Sequence, residues 1–187
     1  AVADSLAACL PEDSPIVVVA DPVLTNHAGD FLVDDDTTNA WKQRILPIAR
    51  VITPNLAEAS ALTGRDRPQT LGDLIELGEA LVEMGPSQVV VSGGQGKAEH
   101  SIDILVSNER PPVQLRSVRM ERENMRGLSG TLSSAIAAHI AHEMAPYDAI
   151  QYSKVFLSGA IDTADTFSIG NGAGPIHQLH RLWEGRR

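Results

Sequence analysis

The chain has 187 residues, 43% hydrophobic but only 4% aromatic, so its core is packed by Ala, Val, Leu and Ile, and that length supports one domain with a real interior. A formal net charge of −9 excludes general nucleic-acid binding, because no basic stripe is present to neutralise phosphates. Cys9 is the only cysteine, which excludes a disulfide framework and a cysteine-based zinc site and suits a reducing, cytoplasmic setting; no apolar run approaches a membrane span, and Ala1 to Leu10 lacks the basic start of a signal peptide.

Val2, Leu6 and Leu10 recur at helical spacing from the first residues, so the chain opens in what reads as the middle of a helix, and an upstream segment is expected. Ile16 to Ala20 is a continuous apolar run bounded by Pro15 and Asp21-Pro22, the signature of a buried parallel strand. Asp36 or Thr37 is the expected cap of a helix reaching Ala49, with Trp41, Ile45 and Ile48 on one face. Val51-Ile52 is a brief strand ending at Thr53-Pro54-Asn55. Leu56 to Thr63 is a short helix closed by Gly64. Thr70 caps the next helix, whose Leu74, Leu77, Leu81 and Met84 face inward, and Val89 to Val91 is the next buried strand.

Ile102 to Val106 and Val113 to Val118 alternate like antiparallel or edge strands around an Asn108 to Pro111 turn. Asn124 to Gly130 is a polar, glycine-bearing loop, followed by helices over Thr131 to Met144 and Tyr147 to Asp162. Phe167 to Gly174 is a glycine-rich loop, and Pro175 to Trp183 is expected as a final helix with Pro in its first turn. Strand and helix alternate, so the class is α/β with a mainly parallel sheet, and residues 1–187 form one domain.

Four segments carry candidate chemistry. Asp21 stands at a strand end, where open α/β sheets bind ligands, although a turn aspartate would look the same. Asn55 and Glu58 lie one turn apart at a helix start; they can hold a hydrated Mg²⁺ near a phosphate, or simply form a helix capping box. Ser92, Gly93 and Gly94 lead into Gln95-Gly96-Lys97, either a backbone cradle for an anion or a flexible turn. Gly127, Ser129, Gly130 and Thr131 sit at a helix start, where N–H groups and the dipole favour an anion; the alternative is an N-cap by Ser129. The histidine pairs His139/His142 and His177/His180 have i,i+3 spacing but no third ligand, so surface or partly buried histidines are expected rather than a metal site.

Taken in order, these segments resemble the hydroxymethylpyrimidine/phosphomethylpyrimidine kinases. The matching pieces are Val19 to Leu24 with Gly29-Asp30 and Leu32, Ile52 to Ala59 with Leu62 to Gly64, Val90 to Gly94, Gly127 to Ala138, Gly159 to Ile161 and Gly170 to His177. The resemblance implies a ribokinase-like three-layer αβα sandwich, ATP and Mg²⁺ as cofactors, and two successive phosphorylations of an aminopyrimidine. It also implies that Asn55 and Glu58 position metal through water, that Asp21 lies near the phosphates, that Gly127 to Thr131 form the anion hole, and that the loops around Ile161 to Gly174 lie near adenine.

Three departures from the family pattern stand out. The usual Gly-Thr-Gly-Cys appears as Gly127-Leu128-Ser129-Gly130, so the position of the family's catalytic base holds a glycine, which cannot accept a proton. The lysine that usually precedes the Gly-Gly pair is Ser92. The N-terminal part that carries most of the pyrimidine-binding residues has no counterpart here, and the sheet edge this leaves points to a homo-oligomer. An ATP-dependent pyrimidine kinase is therefore the leading expectation. A non-catalytic nucleotide-binding or assembly module and a pyridoxal-kinase-like enzyme are the alternatives.

Overall fold

The computed structural model describes residues 2–10, 14–26, 30–93, 99–166 and 168–183. The chain divides into two compact units, Ala1–Gly93 with Asp103–Gln114, and Gly94–Ile102 with Leu115–Arg187.

The first unit is organised by a sheet of order β1-β2-β3-β4-β5. Its strands are β1 (Val19–Ala20), β2 (Val51–Ile52), β3 (Gln88–Val91), β4 (His100–Ser107) and β5 (Val113–Val118), the last two also contributing residues to the second unit. β1, β2 and β3 run parallel, with Ala20 opposite Ile52 and Ile52 opposite Val89, while β4 pairs antiparallel with β3. β3 is buried along its whole length, as its unbroken Val89-Val90-Val91 run requires of a strand covered on both faces. β1 is shorter than its apolar run suggested. Ile16 is 60% exposed and Val17 36%, so only the end of the run enters the sheet.

Helix α1 spans Val2–Cys9, and its Asp4 pairs with Arg44. α2 (Asp35–Ala40) is capped by Asp34, which accepts from Thr37 N, rather than by Asp36 or Thr37. Asp34, two residues before Asp36, already places its carboxylate over the N3 amide, so the following residues enter the helix. The helical path continues through a π segment (Trp41–Ile45) and a 3-10 turn (Leu46–Ile48). α3 (Leu56–Thr63) ends at Gly64, whose left-handed φ of 71° matches the expected stop. α4 (Leu71–Val82) is capped by Thr70 and buries Leu74, Leu77 and Leu81. Its Gly78 lies so close to the sheet that a Cβ there would sit 2.5 Å from Val106 Cγ2.

In the second unit, α5 (Leu128–Ala141) packs along α6 (Pro146–Asp162), burying Leu132, Ile136, Ile150 and Leu157. The expected helix from Pro175 shrinks to α7, His180–Trp183. Pro175 instead forms a parallel bridge with Arg126, and Ile176 N donates to Arg126 O, so this segment is held as extended chain. His177 and His180 are each only 6% exposed, which corrects the expectation of surface or partly buried rings. His180 packs where a Cβ on Gly159 would lie 2.5 Å from its Nε2, and His177 meets Trp183 edge-on. Burial against a glycine and a tryptophan makes these rings packing elements. Among the described residues no helix is long and apolar enough to cross a membrane.

Candidate functional site

Because β1, β2 and β3 are parallel, the residues that follow them emerge at one edge of the sheet, the edge where open α/β folds bind ligands. Asp21, Thr53-Pro54-Asn55 and Ser92-Gly93 are those residues. Thr53 Oγ1 donates to Asp21 Oδ1 at 3.1 Å. Asn55 and Ser92 form an isolated parallel bridge, with Ser92 N donating to Pro54 O at 3.0 Å. Gly93 N donates to Oδ1 of the buried Asp103 at 3.2 Å, so the glycine-rich turn starts from an anchored amide. Gly94 to Lys97 lie outside the described residues.

Asn55 and Glu58 form a full capping box. Asn55 Oδ1 accepts from Glu58 N at 3.0 Å, and Glu58 Oε2 accepts from Asn55 N at 2.9 Å. Glu58 is only 4% exposed, and its other oxygen accepts from Leu24 N, Thr25 N and Thr25 Oγ1. Burial pushes the Glu58 carboxyl above its ordinary value; the amides of Asn55, Leu24 and Thr25 oppose the shift, and the nearby charge of Asp21 adds to it. Among the described residues no group of three or more His, Cys, Asp or Glu side chains could cage a metal. The edge offers an aspartate and an amide–carboxylate pair instead. That oxygen set fits Mg²⁺, which keeps several waters and shares phosphate ligands. With four donors already on its carboxylate, Glu58 fits a metal reached through water rather than bound directly.

In the second unit, Gly127 is the N-cap of α5, with a left-handed φ of 85° that a side chain would strain, and no side chain caps the helix. The first helical bond runs from Thr131 N to Gly127 O at 2.9 Å. The helix therefore starts three residues before Thr131, and Ser129 lies in its first turn rather than at its cap. Left-handed glycine already turns the chain at 127, which leaves Ser129 no capping position. Gly130 is exposed, and a Cβ built there meets nothing within 4 Å. Thr131 Oγ1 accepts from Gln178 Nε2 at 3.3 Å.

The loop leading into α5 hangs on Asn124, which in sequence is only the first residue of a polar, glycine-bearing stretch. Asn124 is 9% exposed; its Nδ2 donates to Ala164 O at 3.0 Å and its Oδ1 accepts from Gly174 N at 2.7 Å. The Asp165 carboxylate accepts from both Glu123 N and Asn124 N. Glu123, Asn124 and Asp165 line a polar cleft of about 840 Å³ together with the glycine-rich stretch Gly170 to Ala173. Nothing local marks this asparagine among the polar residues of the loop, because its partners lie 40 and 50 residues away in sequence.

Residues 1–177 match the family described as phosphomethylpyrimidine kinase. The chain belongs to that family. A relative from Rhizobium meliloti (strain 1021), named hydroxymethylpyrimidine/phosphomethylpyrimidine kinase, is 37% identical over 166 residues, covering 89% of this chain and 62% of that protein. Among solved structures, the ADP complex of Bacillus subtilis pyridoxal kinase is similar with a TM-score of 0.83 and 30% identity, covering 97% of this chain and 66% of that one. A phosphomethylpyrimidine kinase from Clostridium difficile 630 is similar with a TM-score of 0.69 and 27% identity, covering 86% and 62%. The fold is thus ribokinase-like, as the order of the family's motifs implied. The chain spans 62% of the length of the first curated relatives it matches.

Proposed function

We propose that this family member takes part in ATP-dependent phosphorylation of 4-amino-5-hydroxymethyl-2-methylpyrimidine and its monophosphate, the chemistry of thiamine biosynthesis. The family match over residues 1–177 carries the reading. The gathering of Asp21, Asn55, Ser92 and Gly93 at the carboxyl edge of three parallel strands supports it. In this reading Ser92 offers its hydroxyl to nucleotide phosphates at the head of the glycine-rich turn, and Asp21 lies near them. Asn55 and Glu58 hold Mg²⁺ through water; when bound with ATP, the ion neutralises charge on the phosphates. The first turn of α5, Gly127 to Thr131, supplies N–H groups of the kind that stabilise charge on a phosphoryl group.

Gly130 favours a second reading. The helix there carries backbone but no proton acceptor, so the chain can bind nucleotide while transferring phosphate poorly. A coupled assay on the full-length protein separates the readings, using hydroxymethylpyrimidine, its monophosphate and pyridoxal as acceptors beside a calorimetric titration of Mg·ATP. Turnover on the pyrimidines supports the kinase. Binding without turnover supports the non-catalytic module, and preference for pyridoxal would replace the pyrimidine assignment.

A further inference from the structure

We propose that Thr25 is a positioning residue, one that sets the orientation of the Asn55–Glu58 pair and couples it to the hairpin that follows β1; this rests on reading that pair as part of the phosphate-binding edge. Thr25 is 6% exposed, and its hydroxyl stands between the two side chains. It accepts from Asn55 Nδ2 at 3.2 Å and donates to Glu58 Oε1 at 3.3 Å. A hydroxyl has one proton to donate, so accepting from the amide and donating to the carboxylate makes a consistent pair of roles.

The amide has little freedom in this arrangement. Asn55 Oδ1 is committed to Glu58 N by the capping box, which leaves Nδ2 in need of an acceptor, and Thr25 Oγ1 supplies it. The amide is thereby held at both ends, by Glu58 N within the helix and by a residue 30 positions earlier in the chain. The carboxylate is tied to the same place, because Leu24 N and Thr25 N also donate to Glu58 Oε1.

Thr25 is at the same time the root of a hairpin. It pairs with Phe31 across an antiparallel bridge, Asn26 N donates to Asp30 O at 2.8 Å, and Leu32 N donates to Leu24 O at 2.8 Å. The hairpin presents Phe31 and Leu32, each 59% exposed. A ligand that draws on the Asn55 amide or the Glu58 carboxylate must compete with Thr25 for them. Occupancy of the strand edge and the seating of the hairpin are therefore linked at Thr25, whose hydroxyl is the one contact shared by both members of the pair.

The test compares the full-length wild type with Thr25→Val, which keeps shape but removes the hydroxyl, and Thr25→Ser, which keeps the hydroxyl. The first readout is amide hydrogen exchange at Leu24 and Leu32, with Val90 as a core reference. Loss of the buried bonds should speed exchange at the two hairpin amides roughly tenfold in Thr25→Val while leaving Val90 unchanged, and Thr25→Ser should return it to within about twofold of wild type. The second readout is calorimetric Mg·ATP affinity, expected to fall roughly tenfold in Thr25→Val and to recover in Thr25→Ser. Unchanged hairpin exchange in Thr25→Val overturns the proposal, as does failure of Ser to rescue it, which would assign the effect to methyl packing. Altered exchange with unaltered affinity overturns the coupling to the pair. Altered exchange in Thr25→Val, beside a wild type that binds no Mg·ATP, supports the Thr25 joint and overturns the phosphate-edge reading instead.

Discussion

Replacing Gly130 by Cys puts an ionisable thiol at the third residue of α5, where an added Cβ meets nothing within 4 Å and the backbone is already helical. The substitution therefore needs no rearrangement to be accommodated. If absence of a base limits the reaction, the gain is that of general base catalysis, roughly 10²–10⁴-fold, or about 2.7–5.5 kcal/mol off the barrier. Gly130→Ala is the matched control. It should stabilise the helix by about 0.5–1 kcal/mol, worth roughly 2–4 °C in melting temperature at most, without raising turnover. The assay is ATP-dependent phosphorylation of hydroxymethylpyrimidine by the full-length wild type and both variants. Robust wild-type turnover that Gly130→Cys leaves unchanged would refute the reasoning, since another group would then be supplying the base. Equal gains from Cys and Ala would also refute it, by assigning the effect to helix stability.

Three further outcomes rest on Glu58 and on the Asn124 loop. The folded state binds the Glu58 proton more tightly than the unfolded chain does, so this group stabilises the fold most below the ordinary value of 4.5, and that contribution is lost as pH rises through the higher folded value. Denaturant titrations should accordingly show the wild type gaining stability relative to Glu58→Gln as pH is lowered from neutral toward 4.5; a flat or reversed difference would mean burial does not govern this carboxyl. At neutral pH the same variant should bind Mg·ATP more weakly with its fold intact, and unchanged affinity by calorimetry would leave the pair as a helix cap alone. Gly174→Ala would bring a Cβ to 2.6 Å from Asn124 Oδ1, displacing the acceptor of a buried amide, and should cost about 1–3 kcal/mol, read as a fall in thermal midpoint.

The sequence by itself determined the features whose partners lie within one helical turn or one strand. Asn55 and Glu58 were placed to form a reciprocal cap, because residues three apart at a helix start face each other, and the cap is present. Thr70 with its helix, the glycine stop at Gly64 and the wholly buried β3 follow from equally local rules, and the ordered motifs were enough to indicate the family. Whether Asn55 and Glu58 cap a helix, serve a ligand or do both was not decidable from spacing. Only the tertiary structure brought Thr25 between them, and only it joined Asn124 to Ala164 and Gly174. The same holds for the shortened β1 and the buried His180: an apolar run states that burial is favourable, but the sheet decides how much of it finds a neighbour. The reason is geometric. Contacts between near neighbours are set by backbone periodicity alone, whereas contacts across 30 to 50 residues depend on where the fold returns the chain, which no local pattern encodes.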